Sequence, residues 1–390
     1  MNHRRRVLVI TRHFWPTTSD DTLRLQHWVR TLHGDGAEVT VLTPRWHVHW
    51  PRQIYLHEIP VLRLDHPPTS SLRMGRYTRQ LGQWLAAAHD QFDVIYCDEA
   101  GLEAGVVLGQ MPARQPPLVV RYASPAIDRP LAESRPSPRT VDILRRAAVV
   151  LVRDRAAHQH LLSLGIAGSS IVRAQQSLGN VYDRSPPARR NAREILSAVN
   201  HDLFVKSTDR VLVCPGELTR RWGVELLIRA VAPLVEGQRG LHVWILGDSR
   251  ERPQIYDALR HHCMHRLIAL PGIFTDLQEI FQVADLCVFP AAQQGLGWTL
   301  PTCLASGIDV LVSDSGGARQ LLHTQAPQLT FAAEEPLQLR QRLAEWLSDA
   351  RPWGRALRQW MQNTSGERAQ GVWSCGELFH SVEESYSAGR

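Results

Sequence analysis

The sequence predicts an α/β protein built from two doubly wound, parallel-sheet domains. Three observations carry this. The 390 residues are too many for one ordinary core. Short aliphatic runs alternate with helical patterns along most of the chain. The alternation breaks once, at a polar, proline-bearing stretch from Arg184 to Arg193 that reads as an interdomain linker. In such architectures ligands bind outside the carboxyl ends of the strands, so a cleft between the domains is expected.

In the first half, Val7–Ile10 reads as a buried strand and Phe14 to Thr18 as a loop. Ser19 is placed to cap a helix whose apolar positions are Leu23, Trp28, Val29 and Leu32. Gly34 and Gly36 end that helix, and Val39–Leu42 is the next strand. Further strand signals fall at 61–64, 94–96, 118–120 and 149–152, with helical patterns in between, as a parallel sheet covered on both faces requires. A second series, at 211–213, 243–246, 267–270, 286–289 and 310–312, is again interleaved with helices. The expected division is 1–185, 186–370 and a terminal helix segment, 371–390, with Trp373, Leu378, Phe379 and Val382 on one apolar face.

A hydrophobic share of 44% with 21% charged residues excludes wholesale disorder. No apolar run approaches the roughly 20 residues that span a bilayer. The three arginines before Val7 precede too short an apolar segment for a signal peptide. A cytoplasmic protein is therefore expected, with at most peripheral membrane contact. Net charge is +6, yet Lys206 is the only lysine, and dispersed arginines read as coding bias rather than a nucleic-acid surface. Six cysteines show no paired metal-type spacing and sit mostly in apolar text, as reduced buried thiols do. The dense run His261 to His265, at the end of a helical pattern, reads as an exposed helix end, and no metal site is expected. The Trp46 to Trp50 loop, with His47 and His49, fits an acceptor-contacting loop or a plain surface loop equally well.

The chemistry is concentrated in the second half. Gly216 to Ala230 follows a buried strand and opens a helix; Leu246-Gly247-Asp248, Pro271-Gly272 and Ala284 to Pro290 come next. Gln294-Gly295-Leu296-Gly297 then leads to Leu304-Ala305-Ser306-Gly307 and finally to Ser315-Gly316-Gly317. Each glycine corner alone is a strand-to-helix turn. Their order and spacing together resemble the nucleotide-sugar-binding half of family 4 glycosyltransferases, from about Arg210 to Leu322. The resemblance returns weakly at the N-terminus and at Trp373.

That resemblance implies a GT-B architecture of two Rossmann-like domains with an interdomain cleft, and a last helix that crosses back onto the first domain. It implies transfer of a sugar from a nucleotide-diphosphate sugar to a glycan, lipid or small-molecule acceptor, with retention, without a metal and without a further cofactor. Glycine loops at helix N-termini suit a diphosphate, since they offer backbone N–H groups and the positive dipole end. The donor side is thus expected to comprise Gly216, Arg220, Arg221, Gln294, Gly295, Leu296, Gly297, Thr302, Gly316 and Gly317, and the acceptor side Ser19, Asp20 and Asp98. No catalytic side chain is singled out.

The chain also departs from the pattern. The resemblance implies glutamates at Gln294 and Thr302 and a lysine at Trp222; Glu217 stands where a basic residue is usual. Ser19-Asp20 replaces a glycine pair expected to face the donor phosphates, and Asp98 and Ala123 stand where histidines are common. These losses support an alternative, a catalytically impaired GT-B protein that binds a ligand or partner. On this reading Thr302→Glu and Trp222→Lys are expected to strengthen nucleotide diphosphate binding.

Overall fold

A computed structural model describes residues 4–17, 19–110, 116–122, 136–152, 155–173, 181–238, 240–261, 263–290, 298–314, 322, 326–364 and 375–388. The first half supplies β1 (Arg6–Ile10), β2 (Glu38–Pro44), β3 (Gln53–Leu56), β4 (Ile59–Leu64), β5 (Val94–Cys97), β6 (Leu118–Arg121), β7 (Val149–Val152) and β8 (Ile171–Arg173). They form an eight-stranded sheet in the order β3-β4-β2-β1-β5-β6-β7-β8, parallel except for the β3–β4 hairpin. The second half supplies β9 (Arg210–Cys214), β10 (Leu241–Leu246), β11 (Ile268–Gly272), β12 (Leu286–Phe289), β13 (Asp309–Asp314) and β14 (Thr330–Ala332). Their order is β11-β10-β9-β12-β13-β14, all parallel. The central strands of both sheets are buried on both faces, which is why they read as unbroken aliphatic runs rather than alternating ones.

The helices of the first half are α1 (Asp20–Gly34), α2 (Ser71–Ala88), α3 (Leu102–Gln110), α4 (Pro138–Arg146) and α5 (Arg155–Ser163). Those of the second are α6 (Pro186–Val199), α7 (Val224–Gly237), α8 (Arg252–His261), α9 (Gln278–Val283), α10 (Thr299–Ala305), α11 (Pro336–Ser348), α12 (Arg351–Thr364) and α13 (Cys375–Ala388). The stretch read as a linker is mostly α6: Ser185 caps it by accepting from Ala188 N, and the two prolines sit in its first turn. Proline there loses nothing, because those N–H groups have no helical partner anyway. The proline pair that suggests a linker is a helix start.

Each sheet reverses its winding beside its first strand, at β1–β5 and at β9–β12, and the crevices of the fold open at the carboxyl ends of these pairs. Helix α1 has two working faces. Leu25, Trp28, Val29 and Leu32 pack on Val7, Val9 and Val39 of the first domain. Asp20, Leu23, His27 and Arg30, spaced three, four and three apart, form one stripe that meets the second domain. Across the chain, α13 places Leu378, Phe379 and Val382 in the first domain's core, beside Val7, Trp28 and Val149.

Candidate functional site

At the carboxyl ends of β1, β5 and β6 lies a cavity of about 110 Å³ whose lining includes Thr11, Arg12, His13, Asp21, Glu99 and Glu103. Its floor is an ion cluster. Asp98, just past β5, accepts from Arg24 Nη2 at 2.6 Å, Tyr96 OH at 2.8 Å and Arg121 Nε at 3.1 Å. Asp21 adds a second carboxylate 3.4 Å from Arg121. Burial alone would raise the Asp98 carboxyl, but the guanidinium groups of Arg121 and Arg24 outweigh it and hold the pKa below the ordinary value. Asp98 is therefore an ionised structural anchor that fixes two arginines at the site.

Around this floor the remaining charges are ordered too. Arg12 makes a bidentate pair with Glu103, at 3.2 and 3.0 Å. Its carbonyl accepts the indole N–H of Trp46 at 2.8 Å, and Trp46 stacks on His13 with ring centroids 4.9 Å apart. Burial and the neighbouring Arg12 push the His13 pKa down, so a neutral imidazole is favoured. Glu99 is raised by burial and by Asp98, although Arg12 pulls the other way. The loop carrying Trp46, His47 and Trp50 thus reaches the lining residues Arg12 and His13 through Trp46.

Ser19 caps α1, accepting from Thr22 N at 3.3 Å. Asp20 turns away from its own helix. Only 4% exposed, it accepts from Trp298 N at 3.0 Å, from Thr299 N at 2.8 Å and from Thr299 Oγ1 at 2.5 Å. These groups begin α10, in the other domain. Thr302 lies one turn further on, fully buried, with its hydroxyl donating to Trp298 O at 2.6 Å.

On the second domain, Gly216 follows β9 with φ +138, and a Cβ there would collide with the indole of Trp222. Trp222 is nearly buried and donates Nε1–H to Pro215 O at 2.9 Å. Gly247, φ +99, is pressed against the Gly216 carbonyl in the same way. These two glycines are needed for close backbone approach, whatever they bind. Arg220 is exposed; its Nε lies 2.8 Å from Glu225 Oε1, and its backbone N–H donates to Glu251 at 2.8 Å. It lines a cavity of about 710 Å³ between α7 and α8, with Ile228, Ile255 and Met264.

The structure thus brings Ser19, Asp20, Asp98 and Thr302 to the facing ends of the two domains. Gln294, Gly295, Leu296, Gly297, Gly316, Gly317 and Ala123 lie outside the described residues, as does the side chain of Arg221. Arg12, Arg24, Glu103 and Arg121 escaped the sequence reading. The available signal was position: Arg121 and Asp98 are charged residues closing apolar strands at their carboxyl ends. Among the described residues, no group of three or more His, Cys, Asp or Glu is arranged to hold a metal ion.

Residues 209–349, which hold all of the second sheet, match the family model described as Glycosyl transferases group 1. A glycosyltransferase of Methanocaldococcus jannaschii, MJ1607, is 25% identical over 152 residues. That match covers 38% of this chain and 38% of the relative's length. Solved structures extend the likeness to the whole fold. Sucrose-phosphate synthase from Thermosynechococcus elongatus superposes with a TM-score of 0.68 at 18% identity, over 99% of this chain and 100% of that one. Anabaena HepE, in complex with UDP and glucose, gives 0.66 at 15% identity, over 99% and 98%. The lipopolysaccharide glycosyltransferase WaaG gives 0.63 at 16%, over 93% and 96%. The fold is GT-B, and the segment that matches the group 1 model lies in its second half. No helix among the described residues is long and apolar enough to cross a membrane.

Proposed function

We propose that this protein is a family 4-type glycosyltransferase that takes a sugar from a nucleotide-diphosphate sugar and delivers it to an acceptor held against the first domain. The match of residues 209–349 to the group 1 model carries this reading. Support comes from the crevices at β1–β5 and β9–β12, and from neighbours of the same fold whose structures hold UDP, glucose or UDP-glucose. The donor belongs at the ends of β9 and β12, beside Gly216, with Gln294 and Gly316 as further candidate contacts. The acceptor belongs over the Arg12–Glu103 and Asp98 cluster. Transfer with retention needs orientation and stabilisation of the departing diphosphate more than a dedicated side-chain base. We place the protein in the cytoplasm, because the buried thiols Cys97, Cys214, Cys287 and Cys303 are unpaired, as a reducing compartment keeps them.

A second reading, an impaired GT-B protein that binds without transferring, is favoured by Trp222 and Thr302. Where the resemblance has a lysine and a glutamate, these side chains pack inward and bond to backbone carbonyls. One experiment separates the two. The protein is screened by thermal shift against nucleoside diphosphates and their sugars; a ligand at a hundred times its Kd stabilises by about 2.7 kcal/mol. The stabilising donor is then followed by product analysis with and without EDTA. Turnover that survives EDTA and keeps the anomeric configuration supports the transferase. Binding with no consumption of donor beyond background supports the second reading.

A further inference from the structure

The contact between Asp20 and α10 is unlike the other polar contacts between the two halves. Helix α10 begins at Thr299 without a side-chain cap from its N-cap residue, Trp298. The cap comes from a residue 279 positions away, in the other domain. Two backbone N–H groups and one hydroxyl converge on a single buried carboxylate. Such charge-assisted bonds are roughly twice as strong as neutral ones, and a buried carboxylate that loses its donors is costly to leave in place. The other contacts along the α1 stripe are softer. Leu23 packs on the second domain's core, the His27 and Trp298 rings meet at a tilt 6.2 Å apart, and Arg30 faces Asp276 at 3.6 Å on the surface. Asp20 is the strong point of that face.

We propose that Asp20 is an interdomain latch: its carboxylate ties the two domains together across the cleft, and a nucleoside diphosphate enters only as that carboxylate withdraws. Two physical arguments give the second half. Separating the domains breaks the three bonds together, since one carboxylate makes all of them. A dianion brought to the cleft would also meet a fixed negative charge that is already buried there. The latch stands on the contacts alone; the competition with a nucleotide rests on the nucleotide-sugar reading above.

Small-angle X-ray scattering and calorimetry with UDP, on wild type, Asp20→Ala and Thr299→Ala, test both halves. Asp20→Ala is expected to enlarge the radius of gyration and to tighten UDP binding about tenfold, the worth of one charge-assisted interaction. Thr299→Ala removes only the hydroxyl bond, so it shifts both readouts the same way by less, and it stands in if Asp20→Ala does not fold. An unchanged radius of gyration in the folded variants overturns the latch. A larger radius with weaker UDP binding overturns the competition. A larger radius with no binding of UDP, ADP or GDP to any of the proteins supports the latch and sinks the nucleotide-sugar reading.

Discussion

The indole of Trp222 lies over Gly216 and donates its N–H to the carbonyl of Pro215 at 2.9 Å. That relationship changes what a substitution at this loop does. Read from sequence, Trp222 is a missing lysine; in the structure it is part of the second domain's core, packed with Leu218 and Val224.

Trp222→Lys is therefore expected to lower stability before it affects any ligand. Losing a buried aromatic costs about 3–5 kcal/mol, partly offset where the lysine stem refills the space. Thr302→Glu places a carboxylate where the present hydroxyl is wholly buried against the Trp298 carbonyl, so it is expected to cost at least as much. Urea denaturation of the two variants measures both. Wild-type midpoints, together with tighter nucleotide binding, would restore the lysine-and-glutamate reading.

Asp98 supports a second prediction. Asp98→Asn keeps the shape but leaves the more exposed Asp21, at 3.6 and 3.4 Å, as the remaining carboxylate beside Arg24 and Arg121, and weakening a buried pair in this way costs up to about 3–5 kcal/mol. The pH dependence follows from the direction of the shift. Arg121 and Arg24 hold the folded carboxyl below its unfolded value, despite burial, so its stabilisation is complete above the ordinary carboxylate pKa and fades as pH falls below it. Stability measured from pH 6 to pH 3 should drop in wild type, and Asp98→Asn should remove part of that slope. Parallel curves would mean that other carboxylates carry the acid sensitivity.

The legibility of this chain follows the periodicity of its residues. Buried parallel strands announce themselves as aliphatic runs, so β1, β2, β4 to β7 and β9 to β13 stood out. The short exposed strand β3, Gln53–Leu56, alternates exposed and half-buried residues and pairs only through a tight hairpin, which gave no such run. Helix α6 was obscured because Ser185-Pro186-Pro187 serves equally as linker text and as a capped helix start. At the site, glycine corners were visible because backbone approach restricts residue choice at Gly216 and Gly247. The Asp20 contact was not visible, since a carboxylate in a first turn normally serves its own helix. Its partner lies in the other domain, and nothing local in either segment encodes the pairing.

His27 gives a prediction about that same face. Burial, and next the nearby Arg30, disfavour its imidazolium, so its folded pKa lies below the ordinary value of 6.5. Such a group stabilises fully above the unfolded pKa and loses that contribution as pH falls through the folded one. Because His27 touches Trp298, the loss is expected to loosen the domain interface on acidification. Scattering at pH 7.5 and pH 5.5 should show a larger radius of gyration at the lower pH, and His27→Phe should reduce the difference. His13 shifts in the same direction for its own reasons, so the variant should not abolish the acid loss of stability altogether.

The terminal helix α13 gives the last prediction. Leu378, Phe379 and Val382 are buried in the first domain, although the helix follows the whole second domain in sequence. The guanidinium of Arg5 lies 4.3 Å from the centroid of the Phe379 ring and pairs with Glu383 at 3.0 Å. These two contacts differ in worth. The Phe379 ring is 4% exposed, so Phe379→Ala removes buried surface and leaves a cavity, at about 3–5 kcal/mol. The Arg5 and Glu383 side chains are about half exposed or more, where solvent screens the charge, and Arg5→Ala should cost less than about 1 kcal/mol. The two losses should not add: without the ring, Arg5 keeps only its screened partner, so the double variant should cost less than the sum. Chemical denaturation of the two single variants and the double variant measures the coupling. Equal costs for Phe379→Ala and Arg5→Ala would mean that the helix is held by surface charge rather than by its apolar face.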